Sequence, residues 1–168
     1  MPKLTAIVTA YNRADFVDRC VQSVLDAAHD GLDVRVIVMD NGSTDNTGDV
    51  ARGMGEGVRV LSTPDNRHIV EVINRGFDAA FKDPDVDYII MLNDDTQFTP
   101  GSLERLIAAC EAHPDSVLTP LQLNYRAPEH IDDNAFGHVQ QMREMLEDAL
   151  LGRPLAQAYT APTIIGAA

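Results

Sequence analysis

The stretch Tyr88-Ile89-Ile90-Met91-Leu92-Asn93-Asp94-Asp95-Thr96 runs an apolar segment directly into a doubly acidic turn. A short continuous apolar run bounded by turn residues predicts a strand buried on both faces, as in a parallel sheet. The same pattern occurs twice upstream. Leu4-Thr5-Ala6-Ile7-Val8-Thr9-Ala10 leads into Tyr11-Asn12-Arg13, and Val34-Arg35-Val36-Ile37-Val38-Met39 leads into Asp40-Asn41-Gly42-Ser43-Thr44-Asp45. A fourth strand, Val58 to Leu61, follows Gly53-Met54-Gly55-Glu56-Gly57.

Helical periodicity fills the intervals. Phe16, Val17, Cys20, Val21, Val24 and Leu25 predict an amphipathic helix that ends near Gly31, and a short helix follows Asp45. Ile69, Val72, Ile73, Phe77 and Ala80 mark another, and Pro100 is expected to open one carrying Leu103, Leu106, Ile107 and Cys110. Beyond His113-Pro114 the pattern predicts a strand from Val117 to Leu123 and an irregular loop over 124–137. A helix on Val139, Met142, Met145, Leu146 and Leu150 and a strand from Tyr159 to Ile165 complete the expectation. Alternating strands and helices imply an α/β fold in three layers, with a mostly parallel sheet covered on both faces. Ligands of such sheets bind beyond the carboxyl ends of the strands. Thr9 to Arg13, Asp40 to Asp45 and Asn93 to Thr96 then share one rim.

Bulk properties narrow the function. At 168 residues the chain fits one domain, 1–168. No apolar run approaches the ~20 residues that cross a bilayer. Met1-Pro2-Lys3 leads straight into a strand without a secretion signal, so the expected compartment is the cytoplasm, with peripheral membrane association left open. Cys20 and Cys110 fall at helical apolar positions and read as buried reduced thiols. A net charge of −13 excludes a nucleic-acid binder, which needs a basic footprint. An anionic small ligand remains compatible if a cation or local donors offset that background.

The adjacent carboxylates Asp94 and Asp95 can ligate a hard cation such as Mg²⁺ or Mn²⁺. Equally, Asn93-Asp94-Asp95 can be an Asx turn that caps the next helix with help from Thr99 and Pro100. Asp40 either belongs to the turn chemistry of Asn41-Gly42, with Ser43, Thr44 or Asp45 capping a helix, or accepts a hydrogen bond from a base edge. Tyr11 is a loop anchor or a ring on which a nucleobase stacks. Arg13 and Arg67 are solvated surface cations or partners for phosphate and carboxylate. Other signals carry little: Gly53-x-Gly55-x-Gly57 precedes a strand, so it is no dinucleotide fingerprint. The histidines show no paired ligand spacing, and His138 reads as a helix-start residue. No nucleophile elbow or P-loop occurs.

Taken in order, Ile7-Val8-Thr9-Ala10-Tyr11-Asn12-Arg13, Val38-Met39-Asp40-Asn41-Gly42-Ser43-Thr44-Asp45-Asn46-Thr47 and Met91-Leu92-Asn93-Asp94-Asp95-Thr96 resemble the family 2 glycosyltransferases of the GT-A fold. Asp65-Asn66-Arg67 and Phe98-Thr99-Pro100-Gly101-Ser102-Leu103 are similar to further segments of that family, and the match covers roughly residues 4–125. The resemblance implies a Rossmann-like, mostly parallel mixed sheet and a site for a nucleoside diphosphate sugar. That site would comprise Thr9, Ala10, Tyr11, Arg13, Asp40, Asn66, Arg67, Asn93 and Asp94. Thr9 and Tyr11 would surround the base, Asp40 would hydrogen-bond it, Asp94 would face the ribose and Asp95 would bind Mg²⁺ or Mn²⁺. Asn93 stands where the family's Asp-x-Asp motif has its first acid.

Charge arithmetic supports a metal independently. Two unit charges at 4 Å interact by ~4 kcal/mol at an effective dielectric of 20, so a diphosphate facing Asp94 and Asp95 is repelled unless a divalent ion intervenes. Such an ion also acts as Lewis acid on the leaving phosphate. The resemblance further implies an inverting transfer of the sugar to an acceptor hydroxyl on a glycan, lipid or small molecule, with a carboxylate base taking the proton. That base is expected beyond Ala168: Thr163-Ile164-Ile165-Gly166-Ala167-Ala168 resembles the strand preceding the family's acceptor half, so 126–168 reads as the start of that half in a truncated enzyme. The competing reading, from a different class, is a non-catalytic nucleotide-sugar-binding or interaction domain. A nucleotidyltransferase is disfavoured, because no Gly-rich basic phosphate loop follows the first strand.

Overall fold

The computed structural model describes residues 1–27 and 31–115, together with residues 117, 118, 120, 123, 124 and 127–131. The chain divides into two compact units, Met1–His113 and Pro114–Ala168. In the first unit the elements are β1 (Lys3–Ala10), α1 (Ala14–Asp26), β2 (Asp33–Asp40), α2 (Thr47–Arg52), β3 (Val58–Ser62), α3 (Ile69–Ala80), β4 (Tyr88–Asn93) and α4 (Ser102–Ala112). Four strands form one sheet in the order β3-β2-β1-β4, and every pairing is parallel. In the second unit β5 (Leu123–Asn124) pairs antiparallel with β6 (Ala127–Ile131).

Alternation of side chains along β1 and β2 feeds two cores. Ala6, Val8, Ala10, Val36 and Val38 meet Val17, Cys20, Val21 and Val24 of α1 and Ala51 of α2 on one face. The α1 residues stand at i, i+3, i+4 and i+7, which is why this helix buries one stripe. On the other face Ile7, Ile37 and Met39 meet Val72, Ala79 and Ala80 of α3. Leu103 and Ile107 of α4 close over Leu4 and Leu32. Each fully buried Ile, Leu or Val among them contributes about 1.5–3 kcal/mol relative to exposure. The expected three layers are therefore present, with α1 and α3 on opposite faces.

Several expected boundaries shift. α1 ends at Asp26, before Gly31, because Leu32 is already buried in the cluster beside α4 and the chain must turn ahead of it. Pro100 does not open α4. Gly101 follows it with a left-handed φ of 71°, and the helix starts at Ser102, whose N–H donates to Thr99 O at 3.0 Å. Residues 117, 118 and 120 lie outside any strand, and the stretch expected as a loop from 124 holds the hairpin of β5 and β6. Apolar periodicity could not signal that hairpin, since Ala-Pro-Glu-His-Ile shows none. The helix expected over 139–150, the strand over 159–165 and His138 lie outside the described residues.

One glycine sets the distance between layers. A Cβ on Gly76 of α3 would stand 2.6 Å from Ile7 Cγ2 and 3.3 Å from Met39 Cγ. Gly76→Ala is therefore expected to destabilise the fold by about 1–3 kcal/mol through overpacking, read as a lower urea midpoint with unchanged slope. An unchanged midpoint would mean that α3 can lift from β1 without cost.

Candidate functional site

Strand order reverses at β1: β2 and β3 extend to one side, and the chain returns to place β4 on the other. Such a switch point opens a crevice beyond the carboxyl ends of the two diverging strands. The register fixes what lines it. Thr9 lies opposite Asn93 across β1 and β4, and Ala10 lies opposite Asp40 across β1 and β2. The three polar clusters read from the sequence do meet on one rim.

The acid pair lies just past β4, in a turn closed by the Thr96 N–H donating to Asn93 O at 3.1 Å. It does not cap α4, which begins at Ser102. Asp94 is buried and Asp95 exposed. Burial pushes the Asp94 carboxyl above the ordinary carboxylate range; the Arg13 guanidinium draws it back and the charge of Asp95 drives it up again. Arg13 spans both acids, with Nε 3.6 Å from Asp94 Oδ1 and Nη2 3.5 Å from Asp95 Oδ2. Its guanidinium also lies over the Phe16 ring, 4.3 Å from the centroid, a contact worth about 0.5–1 kcal/mol at an exposed site. Cys20 donates its S–H to Asn93 O at 3.5 Å beneath this turn. Burial and the two nearby carboxylates push its thiol up to about 12, so at neutral pH it is a packing residue and no nucleophile. Both cysteines are free, with Cys110 only partly buried.

Asp40 ends β2 and is buried. Its Oδ1 accepts the Ser43 N–H at 3.1 Å, and its Oδ2 accepts the Ser62 hydroxyl at 3.0 Å. Arg52 Nη2 donates to the same Ser62 oxygen at 3.0 Å. Each carboxylate oxygen thus accepts one of these hydrogen bonds and has a second lone pair. Tyr11 is 42% exposed in the turn after β1. Thr9 and Ala10 are buried at the end of β1, and Asn93 is exposed at the end of β4. Asn66 and Arg67 are exposed in the connection from β3 to α3, where the Arg67 guanidinium pairs with Asp65. None of Ser43, Thr44 and Asp45 occupies the cap of α2: the cap is Asn46, whose side chain makes no capping bond, while Asp45 one residue earlier accepts the Thr47 N–H on Oδ1 at 2.9 Å.

Two asparagines that the sequence offered only as turn residues hold the rim together. Asn12 has a positive φ of 53°. Its N–H donates to Ser43 Oγ at 3.0 Å, and its Oδ1 accepts the Thr44 N–H at 2.7 Å. With the Arg13 N–H donating to Thr47 Oγ1 at 2.8 Å, these bonds tie the β1–α1 turn to the β2–α2 loop. Buried Asn41 does the same for the next connection. Its Nδ2 donates to Asn66 Oδ1 at 2.8 Å and Arg67 O at 2.9 Å, while its Oδ1 accepts from Arg67 N–H at 2.8 Å and Thr63 Oγ1 at 3.2 Å. Gly42, with φ 73°, lets the Asp65–Asn66 backbone approach so closely that a Cβ would lie 2.3 Å from Asp65 C. The detectable signal was the left-handed tendency of Asn-Gly, but its long-range partners leave no local trace.

Among the described residues no three His, Cys, Asp or Glu side chains converge as a metal cage. That donor set suits Mg²⁺ or Mn²⁺ held by one or two carboxylates, with the remaining ligands from phosphate oxygens and water. Exposed Asp95, next to buried Asp94, fits such an ion.

The model of glycosyl transferase family 2 matches residues 5–152, and the chain belongs to that family. It is 29% identical over 109 residues to an uncharacterized glycosyltransferase of Nostoc sp., covering 62% of this chain and 32% of that protein. It is 32% identical over 113 residues to the succinoglycan biosynthesis protein ExoO of Rhizobium meliloti, covering 67% and 31%. The chain thus spans about a third of the length of these relatives. Among solved structures it is similar to residues 1–349 of S. aureus TarS in complex with UDP-GlcNAc, with a TM-score of 0.57 and 16% identity over 72% of this chain and 38% of that one. The likeness establishes the GT-A fold.

Because Asn41 uses its whole amide inside the rim, Asn41→Ala should cost about 1–3 kcal/mol of stability. Amide exchange at Arg67 should accelerate with it, since that N–H loses its acceptor. Unchanged exchange at Arg67 would show that the β3–α3 connection is held from elsewhere.

Proposed function

We propose that the rim formed by β1, β2 and β4 binds a nucleoside diphosphate sugar together with Mg²⁺ or Mn²⁺, and that the protein transfers the sugar to an acceptor hydroxyl with inversion. The observation that carries this reading is the meeting of Tyr11, Asp40 and the Asp94–Asp95 pair at the switch point of a family 2 glycosyltransferase sheet. The UDP-GlcNAc complex of TarS supports a nucleotide-sugar donor of this general kind. Tyr11 offers its exposed ring to the base and Asp40 an acceptor to the base edge, with Thr9 and Ala10 forming the floor. Asn66 and Arg67 face the same base from the β3–α3 connection, and Arg13 reaches the phosphates. Asp94 takes the ribose and Asp95 the metal, with Asn93 at the mouth. When bound, the divalent ion would neutralise the diphosphate as it departs. The chain's own residues bind and orient the donor.

No helix among the described residues is long and apolar enough to cross a membrane. The proposed setting is the cytoplasm, where nucleotide sugars would reach the rim from solution and a glycan, lipid or small acceptor would meet it there.

Calorimetry with uridine, thymidine and guanosine diphosphates, with and without Mn²⁺, tests the reading. The parent should bind one of them with Mn²⁺-dependent affinity, and Asp95→Ala should abolish that dependence while keeping the fold. Tyr11→Ala should weaken binding by roughly 1–3 kcal/mol, the size of a stacked base. Parent-like, metal-dependent binding by Asp95→Ala would move the metal elsewhere.

Gly48 gives a second, indirect handle on Asp40. A Cβ there would lie 2.6 Å from Asp40 Oδ2. Gly48→Ala should therefore turn the Asp40 carboxylate and weaken nucleotide binding several-fold, with phosphate-only ligands such as pyrophosphate unaffected. Equal losses for both ligands would argue against a base-reading Asp40.

A further inference from the structure

Arg13 is placed in a way that the donor-binding role alone does not require. Its Nε and Nη2 reach different acids, so one guanidinium bridges the pair. Both distances exceed the 2.7–2.9 Å of a charge-assisted hydrogen bond, so the contact is a longer, mainly electrostatic one. The guanidinium also lies over the Phe16 ring. The backbone of Arg13 is anchored separately through Thr47 Oγ1, so its side chain can leave the acids without loosening the turn. Arg13 has no side-chain role as a cap of α1.

A divalent ion on Asp95 and a guanidinium on the same carboxylate are like charges within a few ångströms, and their repulsion opposes joint occupancy. A diphosphate changes that balance, because it offers oxygens to the metal and new anionic partners to the displaced guanidinium. We propose that Arg13 is a built-in counter-cation of the Asp94–Asp95 pair, which holds divalent metal off the donor-free site and yields the pair when a nucleoside diphosphate arrives. Metal and nucleotide then bind cooperatively, and by linkage each strengthens the other by the same factor. The inference rests on the donor-and-metal reading above and adds the order in which the site fills. Arg13 acts here as a positioning residue whose effect appears in metal affinity before any reaction.

Mn²⁺ binding to the 168-residue chain, followed by electron paramagnetic resonance with and without UDP, dTDP or GDP, provides the test. The parent should bind Mn²⁺ alone weakly and more tightly with its nucleotide. Arg13→Ala should bind Mn²⁺ alone more tightly, by roughly 3- to 10-fold, the scale of two partly exposed ion pairs. The nucleotide-induced enhancement should shrink, and Arg13→Lys should restore the parent's weak binding because it returns the cation. Arg13→Gln, neutral and of similar length, replaces Arg13→Ala if the latter melts early. Unchanged or weaker Mn²⁺ affinity in the neutral variants, with the parent still showing nucleotide-dependent Mn²⁺ binding, overturns this proposal alone. A parent that binds no Mn²⁺ with any of the nucleotides, and so matches Asp95→Ala, overturns the donor-and-metal reading and this proposal with it.

Discussion

Parallel pairing of β1 with β2 on one side and β4 on the other is the constraint from which the remaining features follow. Parallel neighbours cannot be joined by a tight turn; each needs a crossover, and right-handed crossovers carry the helices onto the sheet faces. All four strands therefore present their carboxyl ends to the same edge. Because β1 lies in the middle, both of its faces must be apolar, which its seven consecutive buried residues from Leu4 to Ala10 satisfy. Gly76 is the counterpart of that requirement on α3, where a side chain would collide with Ile7. The crevice is thus a by-product of how the central strand is buried, and only its lining is free to specify chemistry.

That lining is polar and must be held without regular secondary structure. The solution is a set of side-chain-to-backbone bonds that cross between loops: Asn12 to the segment after β2, Asn41 to the segment after β3, Thr47 to the backbone of Arg13. Each replaces a ladder bond that a loop cannot make, and a buried polar group satisfied in this way costs little. The residues proposed for ligand chemistry stand outside that network of loop-to-loop bonds: Tyr11 and Asp95 are exposed, and Asp95 is engaged only by the Arg13 ion pair. Stability and binding capacity are divided among neighbouring residues instead of being carried by the same ones.

The sequence was most legible where burial is continuous. The strands ending at Ala10, Asp40 and Asn93 lie within a residue or two of expectation, and Val17, Cys20, Val21, Val24, Val72 and Ala80 are buried as their periodicity implied. Phe16, Ile69 and Met91, expected on the same apolar faces, are exposed, Met91 because β4 ends the four-stranded sheet and is not buried on both faces. The convergence of the three polar turns was legible too, because parallel topology leaves them nowhere else to go. Legibility failed where the information is not local. Asn41 and Asn12 look like ordinary turn formers, yet their partners lie about 25 to 33 positions along the chain. Gly101 displaced the start of α4 from Pro100 through its own backbone angle, which composition cannot show. At 16% identity TarS still shares the fold; the ordered strand-end motifs carried the family resemblance.

Electrostatics links this architecture to its chemistry. A chain of net charge −13 that buries Asp94 beside Asp95 works against its own stability, since burial and the neighbouring charge both resist ionisation of Asp94. Such a pair persists only if something positive completes it. In the protein by itself that role falls to Arg13, whose side chain reaches both acids from the turn after β1. The cation that completes the pair is therefore supplied from a loop, not from the sheet, and the loop is the one that also carries Tyr11. A ligand that draws Arg13 toward its phosphates and stacks on Tyr11 acts on a single short turn, fixed at its backbone by Asn12 and Thr47. In the proposed reading, base recognition and charge exchange are coupled through those few residues, where strand order reverses.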